Sequence, residues 1–178
     1  MQWEVKPLMN NSPVFKIISN SPKHTQEIGA RIGKIVQHGD ILLLLGNLGA
    51  GKTCLTQGIA RGMGIKEYTS SPSFVMVKEY QGRIPLFHID LYRIEHIEET
   101  NSLGLDDYLY GNGVCVIEWA DRALDLLPAE SMLIKMNYLS QTSRSLEFQP
   151  EGKRYHTMLT DLYFLFSDKE KRQDKKCN

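Results

Sequence analysis

Apolar residues recur along the chain at two spacings, and each change of spacing marks a new element. Val14-Phe15-Lys16-Ile17-Ile18 reads as a short strand. Ser21-Pro22 then offers an N-cap followed by proline at the first helical position. Ile28, Ile32, Ile35 and Val36 continue at three- and four-residue intervals, predicting a helix with a left-handed cap at Gly39. Asp40 introduces Ile41-Leu42-Leu43-Leu44-Leu45, an unbroken apolar run suited to a strand covered on both faces, as in a parallel sheet. Lys52 to Met63, with Leu55, Ile59 and Met63 on one stripe, predicts a second helix that ends at Gly62 or Gly64. Phe74 to Tyr80 and Ile84 to Ile89 predict two strands joined by a turn at Gln81-Gly82-Arg83. Val114 to Ile117 is a further buried strand, and Leu133 to Tyr138 and Ser145 to Phe148 are two more, separated by the polar Ser140-Gln141-Thr142-Ser143. Tyr155, Met158, Leu159, Leu162, Leu165 and Phe166 form a last helical stripe, ahead of the charged, apolar-poor stretch from Asp168 to Asn178.

The alternation of strands and helices, closed by an antiparallel-looking pair, points to an α/β fold built on a sheet of mixed direction. Residues 1–13 read as a flexible leader, with order beginning near Val14; 14–150 as the domain; and 151–178 as a C-terminal helix with a charged tail. No internal repeat is found.

Composition narrows the function classes. The 178 residues carry 21 Lys+Arg against 21 Asp+Glu, a formal net charge of zero. Binding nucleic acid by bulk phosphate neutralisation needs a basic excess, so RNA contact is expected only indirectly, through a partner. Cys54, Cys115 and Cys177 are odd in number and form no C-x-x-C pair, so neither a disulfide framework nor a zinc site is indicated. The N-terminal MQWEVKPLMN has no apolar h-region, and Ile41–Leu45 is far short of the ~20 residues of a membrane span. The expectation is a cytoplasmic chain without membrane association, monomeric or only weakly self-associating when alone.

Gly46-Asn47-Leu48-Gly49-Ala50-Gly51-Lys52-Thr53 matches G-x-x-x-x-G-K-[ST] at every fixed position, between a predicted strand and a predicted helix. In such a phosphate loop the glycines let backbone N–H groups approach phosphate oxygens, and the helix N-terminus adds a favourable dipole. The lysine, here Lys52, reaches the β- and γ-phosphates, and the hydroxyl of Thr53 is placed to ligate Mg²⁺. The metal also needs an acidic partner at the end of a neighbouring apolar strand, and Asp90 after Leu86-Phe87-His88-Ile89 competes with Glu118 after Val114-Cys115-Val116-Ile117. No Asn-Lys-x-Asp segment is present to read guanine, so ATP is the expected nucleotide. Arg83, Arg93, Arg122 and Arg144 are scattered, which weakens a kinase reading that would call for a lid of closely spaced arginines.

With these pieces assembled, the chain resembles the TsaE (YjeE) family of bacterial ATPases in tRNA threonylcarbamoyladenosine synthesis, from about Ser19 to Phe148. Beside the phosphate loop, the resemblance rests on Ser71-Pro72-Ser73-Phe74, His88-Ile89-Asp90-Leu91-Tyr92-Arg93 and Ile117-Glu118-Trp119-Ala120-Asp121. The family usually has Thr where Ser73 stands and Asp where Asn47 stands; the segment after Pro150 has no counterpart. The resemblance implies a P-loop NTPase-like fold, with parallel core strands, antiparallel flanking strands and helices on both faces. It implies that Gly49, Ala50, Gly51, Lys52, Thr53 and Cys54 hold the triphosphate, with Thr53 and Glu118 on Mg²⁺. It further implies ATP contacts at Thr25, Asp121 and Arg144, a role in hydrolysis for Asp90 and a γ-phosphate switch at Ser71 to Phe74, and makes Lys52, Asp90 and Glu118 the catalytic set. Trp119 reads equally as core or as a nucleotide or partner contact. The carboxylates Asp90, Glu95, Glu98, Glu99, Asp106 and Asp107 read as a solvated helix face or as a docking surface for a basic partner.

The implied function is an accessory ATPase. TsaD and TsaB carry out the chemistry on the adenosine next to the anticodon of tRNAs reading codons that begin with A. ATP hydrolysis by this chain resets the TsaB–TsaD pair and is slow without it. The alternatives are a small-molecule kinase and an ATP-gated interaction module.

Overall fold

The computed structural model of the chain describes residues 3–7, 13–96, 99–100 and 103–174; the Asn10-Asn11-Ser12 part of the expected leader, Glu98 and Cys177 lie outside the described residues. The elements in chain order are β1 (Trp3–Pro7), β2 (Pro13–Ser19), α1 (Pro22–Ile35), β3 (Ile41–Leu45), α2 (Lys52–Gly62), β4 (Val77–Tyr80), β5 (Leu86–Asp90), α3 (Leu105–Leu109), β6 (Val114–Glu118), β7 (Ser131–Tyr138), β8 (Arg144–Glu151) and α4 (Lys153–Asp174). The strands form one eight-stranded sheet in the order β1-β2-β8-β7-β3-β6-β5-β4. Its centre, β7-β3-β6-β5, is parallel. β4 flanks it antiparallel on one side, and β8, β2 and β1 flank it antiparallel on the other.

Strand periodicity divides the core between the two faces of the sheet. Leu42 and Leu44 of β3 join Val116, Ile134 and Phe148 beneath α1, α2 and α4. Ile41 and Leu43 point the other way, with Ile89, Cys115 and Ile117, toward Leu105 and Leu109 of α3 and the turn residues Ala120, Ala123 and Leu127. This burial on both sides is why β3 shows no alternation in sequence. Both faces carry helix, as expected, but unequally: the longer α1, α2 and α4 share one face, and the five-residue α3 with short 3₁₀ turns serves the other.

Two features hold the phosphate-loop strand and helix in place. Helix α2 lies against α1 through glycines: a Cβ on Gly58 would meet the Gln26 carbonyl oxygen at 2.3 Å, and one on Gly33 would meet that of Ile59 at 2.1 Å. At the other end of β3, α4 clasps the strand's root. Arg154 donates to both carboxylate oxygens of buried Asp40, at 2.9 and 2.6 Å, and to the Ile35 carbonyl at 3.0 Å. The Ile41 N–H donates to the Tyr155 hydroxyl at 2.8 Å.

Several boundaries differ from the sequence reading, for backbone reasons. Order starts before Val14, because Trp3–Pro7 pairs antiparallel with β2, and ladder hydrogen bonds do not depend on side-chain pattern. The strand expected from Phe74 begins at Val77, since the Val75 and Met76 N–H groups both donate to the Pro72 carbonyl, at 2.8 and 2.6 Å, in a tight turn. Helix α1 does cap at Ser21, whose hydroxyl accepts the His24 N–H at 3.1 Å. It stops at Ile35 with Val36 extended, and Gly39, at φ 81°, serves the turn into β3 rather than the cap. The acidic run does not form one helix face: Asp90 ends β5, while Asp106 and Asp107 sit in α3. Helix α4 extends to Asp174, beyond the stripe ending at Phe166.

Candidate functional site

Strand β3 ends at Leu45, and the chain turns through the loop into α2 at Lys52. Gly51 takes φ 99° at the N-cap of α2, a left-handed conformation that a side chain would strain. The Lys52 ammonium folds back over the loop, donating to the Gly46 carbonyl at 2.5 Å and to the Asn47 carbonyl at 3.2 Å. It also sits 3.6 Å from the ring centroid of Trp119, a cation–π contact. Burial pushes the Lys52 ammonium below its ordinary pKa, against the pull of Glu118, Asp121 and Asp90.

Beside the loop, parallel pairing aligns Asp90 at the end of β5 with Glu118 at the end of β6. The two carboxylates are held differently. Glu118 is buried, and its Oε2 accepts from the Thr53 hydroxyl at 2.9 Å. Its Oε1 lies 2.8 Å from His88 Nε2 and 3.4 Å from the Thr56 hydroxyl, whose one proton has a closer acceptor in the Lys52 carbonyl at 3.1 Å. Asp90 is joined instead to the Ser71–Ser73 segment: Oδ2 accepts from the Ser71 hydroxyl at 2.5 Å, and Oδ1 from the Tyr92 N–H at 3.0 Å. The Ser73 N–H in turn donates to the Ser71 oxygen at 3.3 Å.

These groups line one cleft of about 340 Å³, formed by Leu48, Gly49, Gly51, Lys52, Thr53, Cys54, Ser71, Ser73, Asp90, Tyr92, Glu118 and Trp119. Its rim is partly aromatic: the Tyr92 and Trp119 rings lie 5.0 Å apart, and Arg93 stacks 4.3 Å from the centroid of exposed Phe74. Trp119 itself adopts φ 58°, which turns the chain sharply after Glu118.

Of the remaining sequence candidates, Cys54 lines the cleft, whereas Thr25, Ala50, Asp121 and Arg144 are not among its lining residues. Ala50, within the loop, is buried. Thr25 is buried in α1, with its hydroxyl 2.7 Å from that of Ser19 and donating to the Ser21 carbonyl at 3.3 Å. Asp121 lies exposed in the turn after Trp119. Arg144, at the start of β8, donates to the Gly49 carbonyl at 3.2 Å and so touches the loop from outside. The Cys54 thiol donates to the Pro22 carbonyl at 3.3 Å, and burial raises its pKa. Of the other arginines, Arg83 donates to the Gly33 and Val36 carbonyls at the end of α1, and Arg122 to the Ile94 carbonyl.

The arrangement suits a hard divalent cation held with phosphate. Thr53 and Glu118 present adjacent oxygen donors at the N-terminus of α2, and among the described residues no group of three or more His, Cys, Asp or Glu gathers into a metal cage. Mg²⁺ is ordinarily held this way, by one or two protein ligands with phosphate and water completing the shell. Thr56 and His88 received no role from sequence. Period-two alternation puts Leu86, His88 and Asp90 on one strand face, and the i, i+3 spacing of Thr53 and Thr56 puts both hydroxyls on one helix face.

Comparison with known proteins adds relatives to this geometry. The model of the family described as "Threonylcarbamoyl adenosine biosynthesis protein TsaE" matches residues 19–146. A protein named tRNA threonylcarbamoyladenosine biosynthesis protein TsaE from Bacillus subtilis is 40% identical over 143 residues, covering 80% of this chain and 89% of the relative. Its namesake from Treponema pallidum is 37% identical, covering 74% and 98%. The crystal structure of YdiB from Bacillus subtilis superimposes with a TM-score of 0.75 at 35% identity, covering 90% of this chain and 96% of that one.

Proposed function

The chain belongs to the TsaE family of tRNA threonylcarbamoyladenosine biosynthesis, and from that premise we propose that it is an ATP hydrolase whose turnover serves the TsaB–TsaD pair. The observation that carries this reading is the Thr53 hydroxyl bonded to the Glu118 carboxylate at the mouth of a complete phosphate loop. Membership of the family supports the pathway; the Thr53–Glu118 pair supports the nucleotide chemistry.

In this reading Gly49 to Cys54 wrap the triphosphate and Lys52 leaves the Gly46 and Asn47 carbonyls for the β- and γ-phosphates. Thr53 and Glu118 would hold Mg²⁺, which neutralises charge between the phosphates when bound. Asp90 then takes the second acidic role. Its bond to Ser71 links it to the segment read as a γ-phosphate switch, so it orients the attacking water where that segment meets the nucleotide. Arg144 steadies the loop through the Gly49 carbonyl, and the family resemblance assigns Thr25 and Asp121 to the nucleotide as well. Arg83 is engaged with carbonyls at the end of α1 and Arg122 with the Ile94 carbonyl, while Arg93 stacks on Phe74 and Arg144 touches the Gly49 carbonyl, each singly and with no cluster of arginines over the loop among the described residues. The cation that speeds cleavage, worth ~10³–10⁵ in rate when an arginine finger provides it, is therefore assigned to a partner or to a rearrangement that a partner drives and that could bring in Arg93 or Arg144. RNA is reached only through the complex. Among the described residues no helix is long and apolar enough to cross a membrane.

The test is steady-state phosphate release by the chain alone and with TsaB and TsaD at equal ATP. Slow release that rises clearly with both partners is the expected result; rapid release by the chain alone removes the partner requirement. A phosphorylated metabolite in place of free phosphate means a kinase, and unchanged ATP with nucleotide-dependent partner binding means a gated interaction module. Glu118→Gln is expected to weaken the Mg²⁺ dependence of ATP binding, and Asp90→Asn to keep binding while stopping turnover; the reverse pattern exchanges the two roles.

A further inference from the structure

His88 occupies the middle of the otherwise apolar run Leu86-Phe87-His88-Ile89 and is completely buried. Its strand position faces α2 together with Leu86 and Asp90, in register with Val116 of β6. Nε2 lies 2.8 Å from Glu118 Oε1, and Nδ1 has no hydrogen-bond partner among the described residues. A carboxylate only accepts, so Nε2 carries the proton of this bond and the ring spends its one satisfied nitrogen on Glu118. A buried ring with one nitrogen left unpaired is unfavourable for the fold, and an apolar side chain would suit this run better. The compensation is found at the site, not in the core.

The bonding around Glu118 shows what that compensation does. Oε1 is held from below by His88, with the Thr56 hydroxyl 3.4 Å away and its proton nearer the Lys52 carbonyl at 3.1 Å; both side chains are fully buried and have no route outward. Oε2 faces Thr53, which lines the cleft. Anchoring one oxygen blocks rotation of the carboxylate and keeps the other beside the Thr53 hydroxyl. We infer that His88 is a positioning residue, whose Nε2–H donates to Glu118 Oε1 and presents Oε2 to a divalent cation held jointly with Thr53. This inference rests on the phosphate-loop reading above and adds to it a residue that touches neither nucleotide nor metal.

The experiment compares the full-length protein with His88→Gln, His88→Asn and His88→Leu. In glutamine the amide nitrogen falls near the place of Nε2; in asparagine it falls near that of Nδ1; leucine has neither. Mn²⁺ binding to each protein saturated with ADP is followed by electron paramagnetic resonance, and ADP affinity in EDTA is measured by calorimetry as the metal-free control. Outer-shell partners of this kind change metal affinity about 10- to 100-fold, so Mn²⁺ affinity should fall by that factor in the Asn and Leu variants and return close to wild type in the Gln variant. ADP affinity in EDTA should stay near wild type in all of them. Wild-type Mn²⁺ affinity in both the Asn and Leu variants overturns the inference, as does a loss in the Gln variant equal to that in Asn. If the Leu variant does not fold, the Gln and Asn pair decides on its own. Failure of the wild-type protein to bind ADP overturns the phosphate-loop reading and this inference together, whereas wild-type binding with unaffected variants overturns the inference alone.

Discussion

Arg154→Met tests whether α4, which lies beyond the matched residues 19–146, is part of the machinery that holds the phosphate loop. The guanidinium makes a two-pronged contact with Asp40 and also donates to the Ile35 carbonyl. The Asp40 side chain is 3% exposed and that of Arg154 is 25% exposed. Removing one partner of a buried pair costs about 3–5 kcal/mol because the other charge stays buried and uncompensated. Water at the outer edge of the guanidinium already screens part of that pair, and the Gln37 N–H still donates to Asp40 Oδ2 at 2.7 Å, so we expect a loss of about 2–4 kcal/mol. For a chain of this size that corresponds to a fall in Tm of roughly 4–16 °C. Urea unfolding followed by far-ultraviolet circular dichroism measures it. Methionine keeps the aliphatic length, so packing changes little and the lost bonds dominate. The control is the same substitution in an Asp40→Asn background, where no charge is stranded and the additional loss should be below about 1 kcal/mol. Equal losses in the two backgrounds, or a loss under about 1 kcal/mol in the wild type, would refute the clasp.

Three further outcomes are expected. Lys52→Ala should remove the charge-assisted contact to the phosphates proposed for this residue, worth about 1.5–3 kcal/mol, so ATP affinity should fall about 10- to 150-fold by calorimetry; unchanged affinity removes the phosphate-loop reading. Gly58→Ala gains about 1 kcal/mol of helix propensity but drives a methyl to 2.3 Å from the Gln26 carbonyl oxygen, and overpacking against backbone should leave a net loss of about 2 kcal/mol or more in chemical denaturation. Burial pushes the Cys115 thiol from 9.0 to about 12 and the Tyr155 hydroxyl from 10.0 to about 12. The folded chain therefore keeps protons that the unfolded chain releases. Their contribution is complete below about pH 9 and is lost between about pH 9 and 12, at up to about 1.4 kcal/mol per pH unit per group, so urea midpoints should drop over that window and Cys115→Ala should flatten the drop between about pH 9 and 10.

What could be read from sequence is what depends on neighbours along the chain. The phosphate loop needs a strand, glycines, Lys52 and a helix in succession, and all four are contiguous between Ile41 and Gly62. The start of α1 was legible for the same reason: Ser21 and Pro22 cap the helix with their own local groups. The apolar run of β3 announced burial on both faces because strand geometry alone sends alternate side chains in opposite directions.

The parts that escaped depend on residues brought together from distant positions. Asp90 and Glu118 each end an apolar strand, and strand pattern alone left both as candidates, with the family resemblance pairing Glu118 with Thr53; the contact itself exists only because α2 packs over β6 and brings Thr53 to Glu118, while Ser71 bonds Asp90 beside the Pro72 turn. His88 reads as an interruption of an apolar run until the parallel register sets it beside Glu118. Trp119 could be core or contact by composition, and it becomes a lid on the Lys52 ammonium through a left-handed backbone turn that sequence does not encode locally. Trp3–Pro7 becomes a strand because β2 offers an unpaired edge, and an edge is a property of the assembled sheet. Local chemistry determined that this chain carries a phosphate loop; tertiary packing decided which acid stands over Thr53, because a hydrogen bond between residues 65 positions apart exists only once the sheet and its helix have met.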